Sequence, residues 1–435
     1  MLRKSMLAGR KVLALLLVFL LCLPLGGCWD SDELEELSFV IALGIDKGDV
    51  PNLLKLTAMI AIPAKIAGGP SGGGGDGDGG GKQEESVSVV TINCASLFAG
   101  LNLMNSFVSR KLNLQHMKAI VVGEEMAREG ISKNLGAMMR YYQVRRTTLV
   151  IVGRPSAEEF INKLKPKLGT SPSKYLEDAM LMFETSAFLP RVFYHNFLQQ
   201  YQSYGDEAYA LLGTVVKREK KATTEDKLMA ETKSESPGIA GDTSRKGGID
   251  ISLVGAAVFR GDRLAGYLSG DETRMFNLLR GDFRQAFFAL EDPLSPGKMV
   301  VVDVRQGSPP RVKVDLSGEQ PRVKVQLSLE GDLVGHQSQV NYVDNFNNRA
   351  RLERAVAAMI KKRSEDLIRR AQEDFGTDIF GFGRRGAQYQ FLTWQDWVNY
   401  RWKDRFPAAE VKVEVKFRIR RIGLQYGPAR PGEGV

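Results

Sequence analysis

Residues 117–152, MKAIVVGEEMAREGISKNLGAMMRYYQVRRTTLVIV, decide the fold of this chain. The segments 117–122 and 147–152 are short runs rich in valine and isoleucine, which favour strands. Between them, 124–142 has the apolar spacing and the length of a helical segment. Strands that alternate with helices in this way predict a βαβαβ-like unit whose strands are at least partly parallel.

Similar strand and helix patterns occur upstream of this unit. Four further elements are predicted upstream: strands at 37–45, 53–62 and 87–92, and a helix at 95–108. A glycine-rich tract at 68–81 has almost no side chain to bury and is therefore predicted to be a flexible surface loop. We assign 28–216 to an N-terminal α/β region of one unit or two subdomains.

The composition changes at 217–248. This segment has no aromatic residue, and it carries eight basic and six acidic side chains among many Ser, Thr and Gly. It cannot bury enough apolar surface to offset the entropy of ordering it. We interpret it as a flexible linker or insertion that precedes a C-terminal domain.

The C-terminal segment, 249–435, has the pattern of an α+β domain. Its predicted elements are a hairpin at 249–268, a three-stranded meander at 300–304, 311–316 and 323–329, a helix at 347–375, a helix around Trp394 and Trp397, and a last strand at 411–419. The predicted fold class is therefore α+β and multi-domain, with a mixed βαβ-like N-terminal region and a C-terminal antiparallel sheet packed with long helices.

The first 28 residues have the features of an export signal. Four basic residues precede an apolar run at 12–25, which is shorter than the ~20 residues that a membrane-spanning helix needs. The run ends in Leu25-Gly26-Gly27-Cys28, which resembles a bacterial lipobox, although an ordinary secretory signal with a chance cysteine has the same outline. We expect residues 1–27 to be cleaved and Cys28 to carry two acyl chains, which anchor a protein stably where one does not.

Charge and cysteine content restrict the classes of partner. The 60 basic and 51 acidic residues give a net charge of +9, and removal of the four basic residues of the signal leaves +5. For an exported protein this modest excess suits anionic lipid headgroups, and no nucleic-acid partner is expected. With Cys22 removed and Cys28 acylated, Cys94 stands alone; it is predicted to be a buried structural thiol and not a nucleophile.

No catalytic constellation is present in the sequence. His116, His195 and His336 are scattered without metal-ligand spacing, and there is no Gly-x-Ser-x-Gly elbow. The Asp374-Phe375-Gly376 tripeptide is expected to end a helix. The pair Trp394 and Trp397 favours a core stripe over an apolar ligand site. We predict a protein without enzymatic activity, cofactor or metal.

Several short motifs, in order along the chain, resemble the Ger(x)C family, the lipoprotein C subunits of GerA-type spore germinant receptors. The matching residues are Cys28-Trp29-Asp30, Glu33-Leu34, Gly44-Ile45-Asp46, Gly255 to Phe259, Gly266, Gly381-Phe382-Gly383, Trp394, Trp397, Phe406 and Ile422-Gly423. The resemblance spans nearly all of the mature chain.

This resemblance implies a role in signalling and assembly. It implies integral-membrane A and B subunits as partners, a location on the outer surface of the spore inner membrane, and a response to small nutrients. Among site residues it carries over only Cys28, as the lipidation site. Two alternatives remain open: a lipid-anchored substrate-binding component of a transporter, which calls for two similar α/β lobes around a cleft, and a cell-envelope enzyme.

Overall fold

The computed structural model describes residues 14–17, 36–61, 87–166, 171–216, 238–240, 247–390 and 393–422. Within these ranges thirteen strands form two sheets. The signal peptide except for 14–17, Cys28, and the glycine tract at 68–81 lie outside the described residues, as does most of 217–248. The predicted α+β class is confirmed: helices alternate with strands in the N-terminal region, and they are largely grouped apart from the strands in the C-terminal part.

The first sheet has nine strands. They are β1 (Leu37–Lys47), β2 (Leu54–Ala61), β3 (Val87–Cys94), β4 (Lys111–Asn113), β5 (Ala119–Gly123), β6 (Leu149–Arg154), β7 (Tyr209–Val215), β8 (Ile251–Arg260) and β9 (Arg263–Leu268). Their order is β3-β2-β1-β5-β6-β7-β8-β9, and β4 pairs with the start of β1. The central strands β1, β5, β6 and β7 are parallel, and antiparallel hairpins flank them on both sides.

The central strands are buried on both faces. All of β5 and all but the last residue of β6 are buried, and both strands correspondingly contain unbroken apolar runs, 119–122 and 149–152. The helices around the two sheets are α1 (Leu97–Met104), α2 (Glu124–Glu129), α3 (Ser132–Met138), α4 (Ala157–Lys163), α5 (Pro172–Ser186), α6 (Tyr194–Tyr201), α7 (Gly270–Arg280), α8 (Phe346–Glu373), α9 (Phe382–Gln390), α10 (Trp394–Tyr400) and α11 (Trp402–Arg405).

The single helix predicted at 124–142 is two helices. Gly130, the C-cap of α2, has φ of +136°, and the chain restarts in α3 two residues later. The apolar spacing continues across this break, because both helices bury apolar residues, Met126 and Ala127 on α2 and Leu135 and Met138 on α3. The prediction of one continuous helix was therefore wrong, while the parallel strands on either side of it were predicted correctly.

The predicted hairpin at 249–268 forms as β8 and β9, but it extends the first sheet by antiparallel pairing of β8 with β7. One sheet thus contains strands from both sides of 217–248. Within that segment, the Gly238 carbonyl accepts a hydrogen bond of 3.3 Å from the Gly270 amide, and Ala240 is buried. The division into domains at 217–248 stays a prediction.

The second sheet differs from the predicted antiparallel meander. It consists of β10 (Gln285–Glu291), β11 (Met299–Asp315), β12 (Arg322–His336) and β13 (Glu410–Arg421), in that order. The two strands predicted at 300–304 and 311–316 are one strand, β11, whose pairing with β12 shifts between Gln306 and Arg311. Pro309 and Pro310 lie in that interval and cannot donate to the ladder, which is why the sequence pattern is interrupted there.

The last strand is also parallel, not antiparallel, to its neighbour. β13 pairs with β12 over its whole length, because α8 carries the chain back across the sheet between them. The predicted helix at 347–375 is confirmed as α8. Its apolar stripe of Leu352, Val356, Ile360, Leu367 and Ala371 is buried and packs toward β13 and α7.

Candidate functional site

The Gly44-Ile45-Asp46 motif ends β1 with a helix cap. The Asp46 carboxylate accepts hydrogen bonds of 2.8 Å from the amides of both Ala157 and Glu158, the first residues of α4. A Cβ on Gly123 would lie 1.8 Å from Asp46 Oδ1, so that position has room only for hydrogen. Burial raises the pKa of Asp46 despite these donors. The motif therefore serves the fold by joining β1 to α4.

A second buried cluster joins the first sheet to the C-terminal helices. We call Asp206, Arg280, Asp378 and Trp402 the junction cluster. Arg280 Nη1 and Nη2 donate to the two carboxylate oxygens of Asp206 over 3.1 and 3.3 Å, and the side chains are only 6% and 1% exposed. Burial opposes the charge of Arg280, but the Asp206 carboxylate raises its pKa above the ordinary value. This bidentate pair links the segment before β7 to the end of α7.

Asp378 organises the other half of the junction cluster. Its carboxylate accepts from the amides of Phe380, Gly381 and Gly383 over 2.8 to 3.0 Å, and from Trp402 Nε1 over 2.9 Å. A Cβ on Gly383 would lie 2.2 Å from Trp402 Cδ1, so the indole rests directly on the glycine backbone. The Gly381-Phe382-Gly383 motif is thus explained by packing against Trp402.

Desolvation, with a further contribution from the Asp206 carboxylate, raises the pKa of Asp378 from 3.8 to about 7. The pKa of Asp378 is therefore higher in the folded than in the unfolded state. Its contribution to the free energy of unfolding is fully present at pH values below the unfolded-state pKa, and it is lost as the pH rises through about 7.

Between pH 5 and 7 we expect the free energy of unfolding of the wild type to fall relative to that of Asp378→Asn, by about 1 kcal/mol per pH unit. Urea unfolding of both proteins at a series of pH values checks this, since the substitution itself adds only an offset independent of pH. Parallel stability curves would contradict it.

A cavity of about 970 Å³ opens beside the junction cluster. One wall is α6 together with the segments on either side of it, and the other is formed by α9 and the start of α10. Asp206, Tyr209 and Arg280 contribute to its lining, so the cavity reaches the junction cluster itself. On the second wall Arg384, Ala387 and Gln388 follow helical spacing and present one face of α9.

The two tryptophans of the sequence motif have different environments. Trp397 is 5% exposed and belongs to the core, as predicted, whereas Trp394 is 64% exposed. The ring of Trp394 meets the edge of Tyr204 with centroids 5.2 Å apart, and both side chains line the cavity. Helical periodicity could not separate the two, because the direction of α10 relative to the core is set by its tertiary contacts.

The other candidate residues are dispersed. Cys94 is buried, and burial raises the pKa of its thiol, as expected for a structural cysteine. His116 packs edge-on against Phe39, and only His195 of the three histidines lines the cavity. Phe375 contacts Gly266 just beyond the end of α8. Within the described ranges no group of three His, Cys, Asp or Glu side chains could hold a metal ion.

No helix in the part of the chain that the structure describes is both long and apolar enough to cross a bilayer. Cys28, the predicted lipidation site, lies outside that part.

Comparison with known proteins identifies the class. Residues 30–214 match the family model described as spore germination protein N-terminal domain, and residues 254–423 match the one described as spore germination B3/GerAC like, C-terminal. The chain belongs to the Ger(x)C family of spore germination proteins.

Relatives and a solved structure agree with this membership. The spore germination protein B3 of Bacillus subtilis (strain 168) is 22% identical over 93% of this chain and 96% of its own length. The spore germination protein KC of the same organism is 32% identical over 36% of this chain and 37% of its own. The crystal structure of the GerBC protein has the same fold, with a TM-score of 0.51 and 17% identity over 90% of this chain and 99% of that one.

Proposed function

We propose that this protein is a non-enzymatic lipoprotein subunit of a nutrient germinant receptor complex, held at the outer surface of the spore inner membrane. Its partners in the complex are integral-membrane A and B subunits, and acylated Cys28 is its link to lipid. The observation that carries the proposal is the similarity to a spore germination protein along almost the full length of both chains. The lipobox-like Leu25-Gly26-Gly27-Cys28 supports the anchor.

The fold is consistent with a tethered signalling module. β1 begins at Leu37, nine residues after Cys28, so the tether spans at most ~30 Å. The first sheet is therefore held close to the membrane, which raises its effective concentration for membrane partners without any new contact. The two sheets differ in size and strand order and do not form the two similar lobes that a transporter's binding protein calls for.

The buried charged side chains also favour a framework role. The carboxylate of Asp46 accepts hydrogen bonds from backbone amides, and that of Asp378 accepts from backbone amides and an indole. Asp206 is paired with Arg280. Groups saturated in this way stabilise the fold, and they are poorly placed to react with a substrate.

Cys28→Ala is expected to release the protein from the membrane while leaving it folded. The reason is that two acyl chains supply the anchor and the described helices supply no membrane span. Fractionation of spore inner membranes, with intact mass of the mature protein, measures the effect, and Cys94→Ala is the matched control that should stay anchored. An unmodified Cys28 on mature, membrane-bound protein would refute the anchor.

The receptor role is tested by deletion in the native spore-former. Purified deletion spores should fail to lose optical density with one nutrient in a panel of amino acids and sugars, yet respond to other nutrients or to dipicolinate. Wild-type complementation should restore the response. A normal response to every nutrient after the paralogues are also deleted would favour the transporter alternative.

A further inference from the structure

We propose that the edge of the first sheet at which β1 begins, together with α1, is a second contact with the membrane. Exposed apolar side chains enter the bilayer interface there, and arginine and lysine side chains meet anionic phospholipid headgroups. We call residues 97–111 and 139–146 the basal face. The proposal rests on the lipid anchor proposed above for the direction in which this face points, and its composition is argued from the described residues.

The basal face lies where the tether from Cys28 enters the fold. Parallel strands begin at the same edge of a sheet, so the segments that lead into the paired strands β1, β5 and β6 are neighbours. β4 pairs with the first three residues of β1, with Leu37 opposite Lys111. Because the tether to Leu37 spans at most ~30 Å, the bilayer surface is within reach of this edge.

Side-chain contacts hold the two segments of the basal face together. The ring centroid of Phe98, on α1, lies 5.0 Å from that of Tyr141, which lies 5.4 Å from that of Tyr142. Gln143 Oε1 accepts a hydrogen bond of 3.0 Å from the amide of Leu114, just after β4. The helix α1 and the segment before β6 therefore belong to one surface.

The first argument is exposed apolar surface. Large apolar or aromatic side chains of the basal face that are at least one-third exposed are Phe98, Leu103, Phe107, Met139 and Tyr142. Phe107 and Tyr142 reach 67% and 79%. Single exposed apolar residues are ordinary, but a group of them marks an interaction surface. Aromatic rings are enriched at the membrane interface, which covers their apolar surface.

The second argument is charge of one sign. Residues 95–118 and 139–149 contain no acidic residue, and their basic residues are Arg110, Lys111, Lys118, Arg140, Arg145 and Arg146. Lys118 is paired with Glu177 over 2.6 Å, and the other five are exposed. Each basic residue near an anionic lipid surface strengthens binding about fivefold. Basic and apolar side chains on one face are the composition of surfaces that lie in the membrane interface.

The tether has the opposite charge. Residues 29–36 include five acidic residues and no basic one, so an anionic bilayer repels this segment. The basal face lies beside the point at which the tether enters β1, and its five exposed basic residues offset that repulsion. The basic face thus lies where a fold on an acidic tether needs it in order to approach anionic lipid.

This contact orients an anchored protein and does not replace its acyl chains. One weak signal holds a protein on a membrane only marginally, whereas two signals together hold it stably. Acylation of Cys28 raises the effective concentration of lipid next to the basal face. The release expected for Cys28→Ala at physiological ionic strength is therefore unchanged.

The experiment measures how the full mature chain carrying Cys28→Ala binds phospholipid vesicles in a sedimentation assay at about 50 mM NaCl. We expect vesicles with about 30% phosphatidylglycerol to bind it at least tenfold more tightly than pure phosphatidylcholine vesicles. Binding should weaken at least fivefold at about 500 mM NaCl, because salt screens the headgroup charge. No binding to the anionic vesicles, or equal binding to both kinds, would overturn the proposal and leave the face to the acidic tether or to a protein partner.

Variants locate the contact. Phe107→Ala should weaken binding to the anionic vesicles at least threefold, because its exposed ring no longer enters the interface. The double variant Arg110→Gln, Arg145→Gln should weaken it at least tenfold, since two charges are lost. Neither should change the unfolding midpoint in urea, because all three side chains are exposed.

The matched controls are Phe346→Ala and the double variant Arg351→Gln, Lys362→Gln. They remove a ring of similar exposure and the same charge from α8, which packs toward β13 of the second sheet. Wild-type binding by both basal-face variants, or equal losses in the controls, would overturn the site. Its failure is distinguishable from failure of the anchor and of the receptor role, because the assay uses no acyl chain. The mass of Cys28 and the response of the deletion spores decide those.

Discussion

Arg280→Met lowers the free energy of unfolding by about 3–5 kcal/mol, the usual effect of removing one partner from a buried ion pair. Methionine keeps the apolar stem of the side chain but removes the guanidinium, whose carbon lies over the Tyr209 ring at 4.8 Å from the centroid. What is lost is the charge that neutralises Asp206, a carboxylate only 1% exposed and close enough to influence Asp378. The bond of 2.5 Å to the Ile379 carbonyl is lost with it.

The matched control for this prediction is Arg284→Met. Arg284 also pairs with an acid, Glu184, but the distance is 3.8 Å and the side chain is 65% exposed. Exposed pairs contribute about 0–1 kcal/mol, so the control should unfold at nearly the wild-type urea concentration. Equal effects of the two substitutions in urea unfolding would show that the Asp206–Arg280 pair is not the link between the sheet and the helices. The double variant Arg280→Met, Asp206→Leu should recover part of the loss.

Trp402→Ala is expected to cost about 3–5 kcal/mol, the range for removing a large aromatic side chain from a core. Trp402 is 1% exposed and is among the largest fully buried side chains of the protein. It also donates from Nε1 to Asp378 Oδ2, so its removal leaves that carboxylate with only its backbone donors. The chain around Gly381 and Gly383 then loses the surface on which it is packed.

Trp394→Ala is the natural comparison. The two tryptophans are eight residues apart, but Trp394 is 64% exposed and its truncation should change the free energy of unfolding by no more than about 0.5 kcal/mol. Thermal and urea unfolding of both variants measure the difference. If Trp394→Ala proved as destabilising as Trp402→Ala, the Trp394 ring would be a core element despite its exposure. The expected pattern is a large loss of stability for Trp402→Ala and almost none for Trp394→Ala.

The family motifs can now be separated by what they do. Asp46 of the Gly44-Ile45-Asp46 motif caps a helix. Gly266 packs against the Phe375 ring, and the Gly381-Phe382-Gly383 motif packs against Trp402. These contacts give each of these motifs a role in the fold, and Cys28 differs in that its proposed role is attachment to lipid.

Local patterns predicted most of the secondary structure. The parallel strands 119–123 and 149–154, the hairpin at 251–268 and the long helix Phe346–Glu373 follow from apolar runs and helical periodicity, which depend on neighbours within a few residues. The same patterns missed the break at Gly130 and the continuity of β11 through Pro309 and Pro310. At Gly130 the backbone ends the helix although the apolar spacing continues, whereas pairing with β12 keeps β11 continuous through the two prolines.

The sequence by itself determined the family, the α+β class and the burial of Cys94 and Trp397, and it predicts an export signal with a lipobox-like Cys28. Only the tertiary structure decided that β8 and β9 complete the first sheet, that β13 runs parallel to β12, and that Asp206, Arg280, Asp378 and Trp402 meet. It also decided that Trp394 lines a cavity with Arg191 and Gln200. The physical reason is that hydrophobic periodicity fixes which face of an element is buried, whereas strand partners and clustered charges come from contacts between residues up to about two hundred positions apart.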